Sequence, residues 1–261
     1  MSIDLQGKRA FVCGASKGIG KAIAMGLAES GATICMLARN EDLLKENLKQ
    51  LKSINELPHS YLIADMSNLD ALERIVQNEI QKNDYHILIN NTGGPAGGKL
   101  YDAASNQLEM AFRQHLLSSH VLMKALLPGM KKAEYGRIIN IISTSVKQPL
   151  DNLGVSNTIR AAMASWAKTL ANELAEWKIT VNNILPGATE TDRLKEIITK
   201  ESTIHNKSES ELRATMLSHI PVKRFGQPYE IANVVCFIAS PMASYINGIN
   251  IPVDGGRTKS L

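Results

Sequence analysis

The 261-residue chain is poor in aromatic residues, which make up 5% of it, and in cysteine, which occurs three times. Cys13, Cys35 and Cys236 stand singly inside apolar runs. Their spacing fits neither a disulfide framework nor a zinc site, which argues against a small disulfide-stapled fold and against zinc chemistry. We therefore expect buried thiols in the reducing cytoplasm and no bound metal.

Signals for export and membrane insertion are also missing from the sequence. The apolar run near Phe11 is too short for the core of a signal peptide and leads into a glycine-rich segment. The charge-free stretch from Ile231 to Val253 is long enough to span a bilayer, but prolines, glycine and asparagines interrupt it. Basic residues (29) barely outnumber acidic ones (25) and are scattered along the chain. We expect neither a membrane nor a nucleic-acid partner.

The remaining composition, 44% hydrophobic and 21% charged, is ordinary for a globular protein. The length fits one domain covering residues 1–261. Short β-type runs alternate with helical patterns, which predicts an α/β fold built on a parallel sheet with helices on both faces. The seven predicted strands are Arg9–Cys13, Thr33–Leu37, Ser60–Ala64, His86–Asn90, Arg137–Ile142, Thr180–Leu185 and Gly248–Val253.

Two long helices are predicted in the second half of the chain. The first covers about 105–130 and should stop near Pro128. The second, about 156–177, is alanine-rich and carries few charges, so it is either sandwiched in the core or part of a subunit interface involving Met163 and Trp166.

The segment 189–220 is polar, mixed in charge and without a strand pattern. Long segments of this kind inside compact domains are commonly functional, and a lid excludes water from an active site. We therefore predict a mobile substrate lid over residues 189–220.

The most informative segment follows the first predicted strand. Gly14, Gly18 and Gly20 form a loop that opens directly onto a helix, so backbone amides and the positive helix end face outward as a dinucleotide cradle. A Walker A loop is excluded, because Ala15 stands where its first glycine is needed and Ala22 where its hydroxyl residue is needed.

Further motifs follow the later strands: Asp65, the run Asn90-Asn91-Thr92-Gly93, Pro186-Gly187 with Thr191, and Asp254-Gly255-Gly256. With the glycine loop, they resemble the short-chain dehydrogenase/reductase family over essentially the whole chain, and most closely its 3-oxoacyl-acyl-carrier-protein reductase branch. The resemblance implies a Rossmann-type, doubly wound sheet of seven parallel strands, a nicotinamide cofactor, and a homotetramer or homodimer. The cofactor-binding residues that it and the loop imply are Gly14, Ser16, Lys17, Gly18, Ile19, Gly20, Arg39, Asp65, Met66, Asn91, Thr92, Gly93, Pro186, Gly187 and Thr191.

The choice of cofactor is argued from charge at the end of the second strand. NAD-binding sheets place an acidic residue there, which would repel a 2′-phosphate. This chain has Ala38 followed by Arg39, with Lys17 in the glycine loop. We predict NADP(H), because two cations can reach the phosphate and no carboxylate opposes it. The alternative is that Arg39 is a solvated surface arginine.

The resemblance also implies a catalytic serine, a tyrosine thirteen residues later, a lysine four beyond that, and an asparagine on the preceding long helix. Ser143 is in place, but the other three positions hold Ser156, Arg160 and His115, and the chain contains no Tyr-x-x-x-Lys. An aliphatic hydroxyl is a far weaker acid than a phenol, and arginine cannot relay a proton as lysine can. These four residues are nevertheless the catalytic candidates, with His115 as a possible proton donor.

Two functions stay open at this point. The first is an NADP(H)-dependent oxidoreductase acting on a carbonyl or secondary alcohol of a small molecule or acyl thioester. In it, Ser143, Ser156 and Arg160 orient and polarise the oxygen. The second is a catalytically silent dinucleotide-binding, oligomerisation or sensor protein, which the altered positions favour.

Overall fold

A computed structural model of the protein describes residues 3–260, and of His205 the backbone alone. Seven parallel strands form one sheet in the order β3-β2-β1-β4-β5-β6-β7. They are β1 (Arg9–Cys13), β2 (Thr33–Ala38), β3 (Ser60–Ile63), β4 (Ile87–Asn91), β5 (Gly136–Ile141), β6 (Ile179–Pro186) and β7 (Asn250–Val253). All seven predicted strands are confirmed.

Helices cover both faces of the sheet, as predicted. They are α1 (Gly18–Glu29), α2 (Glu41–Ile54), α3 (Leu69–Ile80), α4 (Ser105–Phe112), α5 (Ser118–Lys132), α6 (Gly154–Leu174), α7 (Asp192–His205), α8 (Glu209–Ser218) and α9 (Pro228–Ala239). No helix within residues 3–260 is long and apolar enough to cross a membrane.

Successive strand residues point into two separate hydrophobic cores. Val12 and Ile89 pack with α1, α2 and α9, whereas Phe11 and Leu88 pack with α3, α5 and α6. This alternation is the geometry of a parallel sheet buried on both sides. The three cysteines are buried and form no disulfide. The fold is therefore the predicted Rossmann-type, doubly wound α/β fold.

The prediction that the long helix stops near Pro128 is wrong. Pro128 lies inside α5, which continues to Lys132. Proline has no N–H, so the carbonyl of Lys124 loses its hydrogen-bond donor within the helix. Lys124 and Pro128 are both exposed, so this carbonyl lies on the solvent side of the helix and can bind water. Burial of Gly129 and Met130 favours continuation of the helix against the core.

The predicted long helix is also interrupted by a π-helical turn, Arg113–Leu117, between α4 and α5. The second long helix, α6, agrees with its prediction. Met163 of α6 is buried against Ile142 and Leu185, which supports the core interpretation of this helix.

The segment 189–220 is helical, since it contains α7 and α8. Leu194, Ile198, Ile220 and Phe225 form a small hydrophobic core of their own beneath these two helices. The segment is thus a packed helical pair, and its action as a lid stays a prediction.

A row of asparagine amides crosses four neighbouring strands. Asn90, Asn140, Asn183 and Asn250 are register partners on β4, β5, β6 and β7, and each amide donates to the next at 2.8 Å. Because strand side chains alternate between faces, a slip by one residue would break every one of these bonds. The ladder therefore fixes the register of the strands from which the site residues emerge.

Candidate active site

The glycine loop between β1 and α1 is built without room for side chains. Gly14 has a φ of +59°, and a Cβ at this position would lie 2.5 Å from the carbonyl oxygen of Asn91. A Cβ at Gly20 would lie 2.1 Å from the carbonyl oxygen of Gly14. Glycine is therefore required at both positions, and the backbone amides at the start of α1 stay open to an anionic ligand.

Two asparagines hold this loop in place. The side chain of Asn91, at the end of β4, donates to the carbonyls of Cys13 and Gly14 at 3.3 Å each. The side chain of Asn47 donates to the carbonyls of Ala15 and Ser16 at 3.1 and 2.9 Å.

Asn47 was missed in the sequence analysis. It lies on the buried stripe of α2 together with Leu44 and Leu51. The sequence does carry a signal for Asn47. It lies three residues after Leu44 and four before Leu51, on the apolar face of the helix, and a buried amide there needs a hydrogen-bond partner.

The loops after β1, β4 and β6 converge at the carboxyl end of the sheet. A Cβ at Gly18 would lie 3.3 Å from Cγ2 of Thr191, which caps α7 by accepting from the Leu194 amide. Pro186 ends β6, and a Cβ at Gly187 would lie 2.7 Å from Cα of Asp254. In doubly wound sheets, ligands bind at this end, where the strand order reverses. Here the reversal lies between β1 and β4.

Three carboxylates lie beside Lys17 and Arg39, the two cations predicted to bind the 2′-phosphate. Arg39 Nη1 lies 3.8 Å from Asp65, and Lys17 Nζ lies 3.6 Å from Glu196 and 4.0 Å from Asp192. Asp192 and Glu196 belong to α7, which returns to the glycine loop, and Asp65 follows β3, so carboxylates lie beside both cations although none stands at the end of β2. All five side chains are well exposed, so these long pairs are weak and exchangeable.

Hydrogen bonds fix the Asp65 carboxylate near the end of β3. It accepts from the amide of Ser67 at 2.8 Å and from the Ser67 hydroxyl at 2.7 Å, and these bonds lower its pKa. Met66, the next residue, is buried. Ile19 lies in the first turn of α1, and Gly93 in the loop that follows β4.

Three of the catalytic candidates come from β5 and α6. Ser143 begins a short 3₁₀ turn after β5, and its hydroxyl accepts from the Ser145 amide at 3.1 Å. Ser156 and Arg160 stand one turn apart on α6, with exposed fractions of 9% and 6%. Residues at this spacing share one helix face, so both side chains belong to the same wall of the site.

Arg160 lies between the ends of β4 and β5. Its Nη1 donates to the carbonyl of Ile141 at 3.3 Å, and a Cβ at Gly94 would lie 3.9 Å from its Nη2. Its Nε is buried and has no hydrogen-bond partner among the described residues. Burial lowers the pKa of Arg160 to about 10, which still leaves the guanidinium charged at neutral pH.

His115 lies in the π-helical turn and is buried, with an exposed fraction of 2%. Its Nδ1 is hydrogen-bonded to the hydroxyl of Thr92. Burial and, to a smaller extent, the charge of Arg160 lower its pKa to about 3, so the imidazole is neutral near pH 7. No group of three metal-ligating side chains is found within residues 3–260.

The whole chain is similar to known proteins. The family model described as enoyl-(acyl carrier protein) reductase matches residues 14–258. The 3-oxoacyl-[acyl-carrier-protein] reductase of Vibrio harveyi is 35% identical over 97% of this chain and 98% of its own. The chain belongs to the short-chain dehydrogenase/reductase family.

Other relatives in the short-chain dehydrogenase/reductase family are named for NADPH. The NADPH-dependent reductase BacG of Bacillus subtilis is 34% identical over 97% of this chain and 99% of its own. The structure of L-sorbose reductase from Gluconobacter frateurii, complexed with NADPH and L-sorbose, covers 100% of both chains with a TM-score of 0.94 and 30% identity. The chain is thus similar to oxidoreductases over its whole length.

Proposed function

We propose that the chain is an NADP(H)-dependent oxidoreductase that reduces a carbonyl group or oxidises a secondary alcohol. The observation that carries this proposal is the side-chain-free cradle of Gly14 and Gly20 beside Asn91, at the reversal point of the sheet. A pyrophosphate is the ligand that such a loop and helix start can hold.

The residues present fit the phosphorylated cofactor. Ala38 ends β2, so no carboxylate occupies the position that binds the ribose of NAD. The side chain of Arg39 is 79% exposed, and its weak pair with Asp65 leaves it free to turn toward a 2′-phosphate. The relatives named for NADPH support the same choice.

When bound, NADPH supplies a hydride to the carbonyl carbon and is oxidised to NADP⁺. The electron pair of the carbonyl then moves onto its oxygen, which needs stabilisation and a proton. We assign hydrogen-bond donation to the hydroxyls of Ser143 and Ser156 and charge stabilisation to Arg160. None of these groups is acidic near neutrality, and His115 is already neutral, so the proton comes from solvent.

Turnover without a tyrosine is expected to be slow. General acid catalysis contributes about 10²- to 10⁴-fold and a hydrogen-bond donor to the developing oxyanion about 10²- to 10³-fold. The remaining donors can therefore support reduction of a reactive carbonyl.

The test is NADPH oxidation by the full chain against 3-oxoacyl thioesters, ketones, quinones and α-diketones. We expect at least one class to be reduced. The Ser156→Tyr/Arg160→Lys double variant should be faster by about 10²-fold, since it restores a phenol beside a lysine. NADPH binding without any turnover would instead favour the alternative, a catalytically silent dinucleotide-binding or sensor protein.

The helical pair of residues 189–220 is proposed to act as the lid. A Cβ at Gly18 of the glycine loop would lie 3.3 Å from Cγ2 of Thr191, and Lys17 Nζ lies 3.6 Å from the carboxylate of Glu196. A ligand on the glycine loop would therefore touch this segment. We also propose the cytoplasm and a homodimer or homotetramer, as the family resemblance implies.

A further inference from the structure

The C-terminal segment after β7, residues 254–260, begins with a sharp bend. Gly255 and Gly256 have φ angles of +65° and +83°, in the left-handed region that glycine adopts readily. The carboxylate of Asp254 fixes the bend, since its two oxygens accept from the amide of Gly256 at 3.0 Å and from the amide of Thr258 at 2.8 Å. The Asp254-Gly255-Gly256 motif therefore sets the direction in which the chain leaves the sheet.

The bend directs the segment across the carboxyl end of the sheet. A Cβ at Gly255 would lie 2.5 Å from Cγ2 of Val222, just after the helical pair 189–220, and the Val222 amide donates to the Gly255 carbonyl at 3.3 Å. At its far end, the hydroxyl of Ser260 donates to the carbonyl of Lys147 at 3.4 Å. Ser143 and Lys147 flank the same 3₁₀ turn. The segment thus runs from the base of the helical pair to the turn that begins at Ser143.

Arg257 supplies this segment with a cation that has no counter-charge. It is half-buried, and its guanidinium has no hydrogen-bond or ion-pair partner among the described side chains and carbonyls. The carboxylate of Asp254, the acidic group nearest in the chain, is engaged by two backbone amides. By contrast, the half-buried Arg213 of α8 pairs with Glu190. The segment therefore offers a positive charge that the described protein groups do not neutralise.

A substrate whose carbonyl oxygen contacts Ser143 lies beside this segment, because the segment ends on the turn that Ser143 begins. A guanidinium binds anionic oxygens through charged hydrogen bonds. We propose that residues 254–260 form a wall of the substrate site and that Arg257 selects substrates carrying an anionic group, a carboxylate or a phosphate, away from the reacting carbonyl. Arg257 is then a specificity-determining residue, and the charge on the carbonyl oxygen stays with Arg160. This proposal rests on the proposed function.

The test compares anions with neutral counterparts on the full chain loaded with NADP⁺, and binding is measured by calorimetry. Levulinate is paired with levulinamide, and dihydroxyacetone phosphate with dihydroxyacetone, so the two pairs distinguish a carboxylate from a phosphate. At least one anion should bind about fivefold or more tightly than its neutral counterpart, since charged hydrogen bonds exceed neutral ones. Arg257→Gln should reduce this ratio to about one, and Arg257→Lys should restore part of it. Arg74→Gln, a remote exposed arginine of α3, should keep the ratio.

Hydrogen exchange tests the wall itself. The amides of residues 257–260 should exchange more slowly when the preferred anion is bound, and unchanged exchange would contradict their place beside the substrate.

Equal binding within both pairs, no saturable binding of either anion at millimolar concentration, or a preference that Arg257→Gln keeps would overturn the proposal. Weaker NADPH binding in Arg257→Gln would assign the arginine to the cofactor instead. NADPH titration of the wild-type protein separates this failure from that of the proposed function, which requires NADPH binding whatever the preference for anions is.

Discussion

The positive charge of Arg160, on α6, contributes to holding His115, in the π-helical turn, in its neutral form. Both side chains are buried, and each has a nitrogen without a hydrogen-bond partner among the described residues. Arg160 lies at the end of β5, where it donates to Ile141, and His115 lies against Thr92, just after β4. The pair combines one permanent cation with one neutral ring, where the family resemblance implies a lysine and an asparagine.

The stability of the protein should fall in acid because of His115. Its pKa is about 3 in the folded chain against an ordinary value of 6.5. Between these values the unfolded chain binds a proton that the folded chain does not, so the free energy of unfolding decreases as pH falls from 6.5 toward 3. One such proton accounts for at most about 1.4 kcal/mol per pH unit.

Urea unfolding at several pH values measures this dependence in the wild type and in His115→Gln. The wild-type slope between pH 4 and 6 should be the steeper one by up to about 1.4 kcal/mol per unit. His59 and His86, whose pKa values burial also lowers, contribute to the slope that remains in the variant, as does Glu230, whose pKa Arg224 lowers to about 2. Parallel curves would show that His115 titrates normally in the folded chain.

Replacing Gly20 by alanine should weaken NADPH binding. The added Cβ would meet the carbonyl of Gly14 at 2.1 Å, and overpacking of this kind typically costs about 1–3 kcal/mol, enough for a tenfold loss. Fluorescence titration with NADPH measures the effect. Gly226→Ala is the matched control, since its Cβ would have no neighbour closer than 3.7 Å. Unchanged affinity in Gly20→Ala would argue against the loop as the phosphate site.

The asparagine ladder should contribute measurably to stability. Asn140→Ala removes an amide that bonds to Asn90 on one side and Asn183 on the other, leaving two buried polar groups unpaired. The free energy of unfolding should drop by about 2–6 kcal/mol, from about 1–3 kcal/mol for each of the two groups. Asn78→Ala, on the exposed face of α3, should change it by less than about 0.5 kcal/mol. Equal effects of the two variants would contradict the role of the ladder.

The carboxylates near Lys17 should compete with the cofactor for its charge. Asp192→Asn/Glu196→Gln frees Lys17, so NADPH should bind a few-fold more tightly, and the gain should shrink at high salt. Glu73→Gln, on the exposed face of α3, removes a remote charge and serves as control. Weaker NADPH binding in the double variant would mean that these carboxylates position the lid instead of opposing the phosphate.

The sequence predicted the features that depend on local chemistry. The pattern of apolar residues and the turn residues were enough to predict the strands. Gly14 and Gly20 predicted the dinucleotide cradle because their role is set by the backbone around them. Features that depend on distant contacts were missed. Pro128 stays helical because the core holds its neighbours, Asn47 reaches a loop about thirty residues away, and Lys17 meets carboxylates brought back by α7.

The central claim, a phosphorylated nicotinamide cofactor on the glycine loop, is tested most directly by titrating the protein with NADPH and with NADH. NADPH should bind at least about tenfold more tightly, since a 2′-phosphate gains charged hydrogen bonds from Arg39. Arg39→Gln should lose most of this preference, and Arg74→Gln, an exposed arginine of α3, should keep it. Equal or tighter binding of NADH, or no binding of either nucleotide by the folded protein, would contradict the account.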